Sequence, residues 1–252
     1  MDKEKELYGL IGFPLGHSFS RGFFTEKFAR EHINAAYQNF PIERIDELPR
    51  ILSEHPNLRG LNVTLPHKQA VMPLLDELSP EAQRIGAVNV IRIRHRNGKL
   101  HLKGFNSDII GFTESIRPLL KPQHKKALVL GTGGASRAIR VGLESLGLEW
   151  KYVSRTRREG MFAYEEIDKK TLQEYRVIVN CSPVGMFPHS DECPAIPYDC
   201  LDSEHLLFDL VYNPEETLFM RRGAEHGATV KNGLEMLHLQ AIASWQFWHC
   251  ED

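Results

Sequence analysis

No stretch constrains the fold of this chain more than residues 126–137, KALVLGTGGASR. A run of strand length, ALVL, passes through Gly131, Gly133 and Gly134 into a segment with apolar residues at helical spacing. Glycines let the backbone turn tightly and approach an anion, and the free N–H groups that open the next helix point at it. A strand that feeds a crossover helix pairs with parallel strands and needs helices on both faces. The same turn therefore predicts an α/β fold. EWKYVS, YRVIVN and HLLFDLVYNP read as further strands of that series, and the last two are followed by Pro or Gly turns.

In this context the turn is a dinucleotide fingerprint whose third small position is Ser136. About twenty residues beyond the glycines, an NAD-reading chain places an acid. Here Ser154 is followed by Arg155, Arg157 and Arg158. An acid would repel a ribose 2′-phosphate and a guanidinium would bind it, so the run favours NADP. A solvated basic loop is the alternative.

The first hundred residues alternate strand-like and helix-like segments, which predicts a second, mainly parallel α/β domain. LYGLIGF, AAYQNFPI and LRGLNVTL read as strands. Phe23, Phe24 and Phe28 mark a helix over 20–32 that Ser20 is expected to cap. Ser79 and Pro80 suit the cap and first position of another. Asn97-Gly98 is a two-residue hairpin signal that pairs Ile93 with Leu102 and Arg94 with His101. Arg92, Arg94, Arg96, Lys99 and Lys103 then form a cationic face. The formal net charge of −2, from 31 basic and 33 acidic residues, favours an outer hairpin face over a nucleic-acid patch. MDKEKE reads as a solvated tail, and KPQHKK as a linker. Cys181, Cys193, Cys200 and Cys250 show no C-x-x-C spacing and no histidine pair has ligand spacing, so neither a metal site nor a disulfide framework is expected. With no signal peptide and no apolar run of spanning length, a cytoplasmic protein is expected.

Three polar sets lie at predicted strand ends, where open parallel sheets put ligand sites. They are Ser18 and Ser20 in GHSFS, Thr64 and Lys68 in NVTLPHK, and Asn89 in GAVNV with Asp108 in GFNSD. Capping accounts for Ser20, a helix start for Lys68 and an N-cap for Asp108, each taken singly. Their combination with the glycine turn favours catalysis.

In order and spacing, HSFS, NVTLPHK, IGAVNV, GFNSD, GTGGASRA, SRT, NCSPVGM, DLVYNPEET and GLEMLHLQA resemble shikimate dehydrogenase over nearly the whole chain. The resemblance implies NADPH-dependent reduction of 3-dehydroshikimate to shikimate, a step toward chorismate and the aromatic amino acids. It implies a substrate domain of residues 1–108 plus 232–252 and a Rossmann-like, doubly wound NADP-binding domain of residues 109–231. Lys68 and Asp108 would be the catalytic pair. Ser18, Ser20, Thr64, Lys68, Asn89, Asp108, Tyr212 and Gln240 would hold the substrate. Gly131, Thr132, Gly133, Gly134, Ala135, Ser154, Arg155, Thr156, Arg158, Val211 and Gly233 would hold NADP. The partner would be a small molecule, with no nucleic acid or membrane, and the protein a monomer or homodimer.

Ketone reduction needs a hydride for carbon and a proton for the developing alkoxide. NADPH supplies the first. An ammonium within hydrogen-bond reach stabilises the charge and delivers the second, and Lys68 is the candidate with Asp108 to orient it. His67 is taken as a turn residue. Quinate, with one more hydroxyl beside the carboxylate, stays open as a substrate. A non-catalytic sensor would be expected to lose Lys68 or Asp108.

Overall fold

Apolar residues at alternate positions of the first strand serve two cores at once. In β1 (Glu6–Gly12), Leu7 and Ile11 enter one buried cluster while Tyr8 and Leu10 enter another, the pattern of a strand covered on both faces. The computed structural model describes residues 5–16, 18–96 and 98–251. Residues 1–4 of the expected tail, His17 and Asn97 of the expected hairpin turn lie outside them. The chain forms two compact units, Met1–Ser107 with Ala241–Asp252, and Asp108–Gln240.

In the first unit, β1 is followed by α1 (Phe19–Arg30), β2 (Ala35–Pro41), α2 (Leu48–Glu54), β3 (Leu58–Val63) and the short α3 (His67–Ala70). Then come β4 (Glu77–Leu78), α4 (Pro80–Ile85), β5 (Val90–Arg96) and β6 (Lys99–Phe105). The sheet order is β2-β1-β3-β5-β6-β4. Strands β2, β1 and β3 are parallel, as are β4 and β6. The expected hairpin has the expected register, Ile93 opposite Leu102 and Arg94 opposite His101. Strand β5 is also antiparallel to β3, with Asn62 opposite Val90. This inversion turns the amino end of β5 toward the carboxyl ends of β1, β3 and β6.

Two local expectations need correction. Ser18, not Ser20, caps α1, its hydroxyl accepting the Arg21 N–H at 3.2 Å. The cationic hairpin face is not all solvated. Arg92 is 2% exposed and donates to the Cys250 carbonyl at 2.7 Å, and Arg94 donates to that of Trp248. Orphan carbonyls at a helix end attract cations, and here the carboxyl end of the helix Leu234–His249 supplies them. Ser79 caps α4 as expected, accepting from Ala82 at 3.1 Å, with Pro80 next.

The second unit contains α5 (Asp108–Ile116), β7 (Lys126–Leu130), α6 (Gly134–Ser145), β8 (Glu149–Ser154), β9 (Phe162–Ala163) and α7 (Lys169–Glu174). It continues with β10 (Val177–Asn180), β11 (Leu206–Asp209), α8 (Leu218–Glu225) and β12 (Thr229–Lys231). The last helix, α9 (Leu234–His249), starts here and ends in the first unit. The packing thus groups residues 232–240 with the second unit. Its sheet is parallel throughout, in the order β12-β11-β10-β7-β8-β9. Read from the other edge this is the doubly wound 3-2-1-4-5-6 order. Alternation recurs: Leu128, Leu130 and Ile178 face one core, and Ala127, Val129, Val177 and Val179 the other. Each Leu or Ile so buried contributes about 1.5–3 kcal/mol.

In the first unit the half of α9 after Gln240 brings Trp248, fully buried, into the cluster of Tyr8, Phe24 and Tyr37. Its indole N–H donates to the Ile91 carbonyl at 3.1 Å. Among the described residues, no helix is long and apolar enough to cross a membrane.

Candidate active site

In a parallel sheet, ligands gather where adjacent strands send their connections to opposite sides. In the second unit that point lies between β7 and β10. A cavity of about 770 Å³ opens there. Gly131, Thr132 and Gly133 line it from the β7 turn, Ser154 and Arg155 from the end of β8, and Cys181, Ser182 and Val184 from the end of β10. Gly131 has φ +98°, which only glycine adopts without strain, and its Cβ position would lie 3.3 Å from Ser182. The amino end of the twelve-residue α6 adjoins Gly133. Free N–H groups, a guanidinium and a glycine turn suit a dinucleotide's phosphates.

Five expected cofactor residues therefore reach the cavity: Gly131, Thr132, Gly133, Ser154 and Arg155. Gly134 and Ala135 open α6 behind it. Ser154 turns its hydroxyl onto the Thr156 backbone. Arg157, exposed, pairs with Glu166 at 3.3 Å, and Arg158 is exposed on the same loop. Val211 is buried and accepts the Gly233 N–H at 3.2 Å. A Cβ at Gly233 would fall 2.3 Å from the Leu210 carbonyl, so a side chain there would force the backbones apart.

Sequence reading missed three groups on the cavity wall, Tyr164, Glu192 and Cys193. Burial pushes the Tyr164 phenol up, and Arg155 opposes this. Burial holds the Cys181 thiol far above its ordinary value, reinforced by Asp209, so it stays protonated.

In the first unit the corresponding point lies between β1 and β3. Ser18 and Ser20 follow β1, Thr64 follows β3, and Lys68 sits half-buried in α3. Asn89 immediately precedes β5, and Ser107 follows β6 by one residue. Since β5 runs opposite to β3 and β6, all of these fall at one end of the sheet. Backbone bonds fix the arrangement. Val63 N–H donates to Asn89 at 2.8 Å, Asn89 N–H to Phe105 at 3.0 Å, and Val88 N–H to Lys68 at 2.7 Å.

Beneath these residues lies a buried network that sequence reading did not find. Asn89 accepts the Ser107 N–H at 2.7 Å and donates to the Ser107 hydroxyl at 3.0 Å. That hydroxyl shares a hydrogen bond with Ser244 at 3.1 Å. Asn62 donates to Ser244 at 3.0 Å and accepts from the Tyr37 phenol at 2.8 Å. Burial pushes the Tyr37 phenol far up, and a hydrogen bond from Ser20 opposes this. Through these neutral side chains the network runs from Ser20 to Asn89. Asp108, nearly buried, follows Ser107 directly.

His67 is 2% exposed and its Nε2 lies 2.7 Å from the Ile42 carbonyl, which fixes a proton there. The ring holds the segment before Lys68 in place and does not face solvent. Tyr212 is 41% exposed, and Gln240 donates to the Leu237 carbonyl at 2.9 Å.

Residues 10–91 match the family model described as the shikimate dehydrogenase substrate binding domain. The chain is 36% identical to the shikimate dehydrogenase (NADP(+)) of Desulforamulus reducens, covering 96% of this chain and 89% of the relative. Among solved structures it is similar to the shikimate dehydrogenase of Aquifex aeolicus, with TM-score 0.84, 32% identity and coverage of 100% and 96%. It is similar as well to the shikimate 5-dehydrogenase of Thermus thermophilus in complex with NADP(H) and shikimate, with TM-score 0.83, 33% identity and coverage of 97% and 93%.

Proposed function

As the chain belongs to the shikimate dehydrogenase family and reduces 3-dehydroshikimate reversibly to shikimate with NADPH, we propose that Lys68 and Asp108 move the proton. Residues 1–108 with 232–252 bind the substrate, and residues 109–231 bind NADP. Ser18 already uses its oxygen as acceptor for Arg21, so its hydrogen is available to the substrate carboxylate. Ser20, Thr64, Asn89, Tyr212 and Gln240 hold the carboxylate and ring hydroxyls with it. Lys68 donates to the oxygen that becomes the alcohol. Asp108 orients that ammonium and accepts from a neighbouring hydroxyl.

NADPH, when bound, supplies the hydride. The residues present fit it. The glycine turn and the head of α6 receive the pyrophosphate, and Arg155 the 2′-phosphate, with Ser154, Thr156 and Arg158 around it. Val211 and Gly233 flank the reacting ring. The observation that carries this reading is the gathering of Ser18, Thr64, Lys68 and Asn89 at one end of a sheet whose β5 is inverted.

The finer assignments belong to the same proposal. The enzyme works in the cytoplasm as a monomer or homodimer, and its four unpaired thiols suit a reducing compartment. The test is absorbance of NADPH formed when shikimate or quinate is added with NADP or NAD. Turnover with shikimate and NADP is expected. Binding of shikimate without turnover would overturn the reading.

A further inference from the structure

We propose that Asp209 is a positioning residue for the cofactor, tying the carboxyl ends of β10 and β11 together and thereby setting Ser182, Val211 and Gly233. Asp209 ends β11 and is fully buried. Its two oxygens take donors from three separate segments. Asn180 Nδ2 and the Val211 N–H each lie 3.0 Å from Oδ1, and Thr217 Oγ1 lies 2.7 Å from Oδ2. The contacts continue outward in both directions. Asn180 Oδ1 accepts from the Ser182 N–H at 3.1 Å and hydroxyl at 2.7 Å, and Ser182 stands on the cavity wall. The Val211 carbonyl accepts the Gly233 N–H at 3.2 Å.

The chemistry of the donors explains why a carboxylate stands here. Thr217 caps α8, its oxygen accepting the Met220 N–H at 3.3 Å while its hydrogen goes to Asp209. An asparagine at 209 would present its NH2 either to Thr217 or to Asn180 and Val211, and either way leaves a donor without an acceptor. Only an all-acceptor side chain serves three donors at once. Among the described residues no cation pairs with Asp209, so burial lifts its carboxyl to about 6 against the opposing bonds from Thr217, Val211 and Asn180. Apolar groups would fill such a site at lower cost, since a buried unpaired carboxylate is unfavourable. Its placement beneath the cavity rather than elsewhere in the core points to a role at the cofactor.

The inference takes from the proposed function the assignment of Val211 and Gly233 to the reacting ring. The test compares purified wild type with Asp209→Asn and, because that variant could misfold, with Thr217→Val and Thr217→Ser. Loss of one hydrogen-bonded position corresponds to about a tenfold change. Asp209→Asn and Thr217→Val are expected to raise KM for NADPH by about that factor, with KM for 3-dehydroshikimate unchanged and Thr217→Ser near wild type. As pH falls from about 8 to 5, the ratio of variant to wild-type KM for NADPH is expected to fall toward one as Asp209 protonates. The ratio cancels titration of the 2′-phosphate, common to both proteins. The Cys181 thiol and the Tyr198 phenol, the latter with Arg222 against its ring at 5.4 Å, also feel Asp209. Both are pushed up out of this range and do not titrate. Equal rises in both KM values, or wild-type KM for NADPH in Asp209→Asn, would overturn the proposal. NADPH binding followed by fluorescence reports the same ratio without turnover, so absence of shikimate oxidation would strike the functional reading alone.

Discussion

The two compact units solve one problem with different chemistry. Each sets its candidate site at the carboxyl ends of strands beside a point where connections diverge, and each must satisfy polar groups buried behind that site. In the first unit the network Tyr37–Asn62–Ser244–Ser107–Asn89 is neutral throughout. In the second, Asp209 brings a full charge among neutral donors Asn180, Val211 and Thr217. The charged one gathers more donors on one side chain, and burial lifts that carboxyl to about 6. Polar satisfaction is therefore shared, and the second unit adds to it this buried carboxyl.

The sharpest way to break this comparison is to separate chemistry from cofactor binding. Lys68→Ala is expected to lower kcat by about 10²–10⁴-fold, the usual contribution of one general acid, with unchanged NADPH affinity in a fluorescence titration. Turnover near wild type would remove Lys68 from the mechanism.

The next effect concerns stability against pH. Folding raises the Asp209 carboxyl from 3.8 to about 6. Its protonated form therefore favours the folded state below the unfolded value, and that advantage is lost as pH rises through about 6. Replacing it by asparagine removes this dependence, so the stability of Asp209→Asn relative to wild type should rise by about 3 kcal/mol between about pH 4 and 7. Urea unfolding at the two pH values measures it, and a pH-independent difference would contradict a buried, titrating Asp209.

The neutral network should behave oppositely. Ser244→Ala leaves a buried Asn62 donor unpaired and is expected to cost about 1–3 kcal/mol, by the same amount at both pH values. The smallest effect expected is on nucleotide choice. Arg155→Ala should raise KM for NADPH about tenfold and leave that for NADH little changed, the loss of one charge-assisted contact. Equal changes for both cofactors would place the 2′-phosphate elsewhere.

Legibility in the sequence tracked how local each determinant is. The glycine turn at 131–134 and the Ser79-Pro80 cap specify themselves within a few residues, and the structure keeps both. The choice between Ser18 and Ser20 as cap was not legible. Both lie at the helix start, and the Tyr37 hydroxyl that engages Ser20 comes from strand β2. The burial of Arg92 was equally hidden, because its partner is a carbonyl 158 residues away.

By itself, then, the amino-acid order determined the alternation of strands and helices, the anion-binding turn, the basic run after β8 and the candidate residues at the strand ends, since periodicity, turn chemistry and charge act over a few positions. Tertiary structure alone decided which way β5 runs, and hence that Asn89 stands at the same end as Thr64. It alone also joined Asn62 to Ser244 across 182 residues and gave Asp209 its three donors. Such contacts form only when distant segments pack, because a polar side chain carries no local sign of the partner that burial will require it to find.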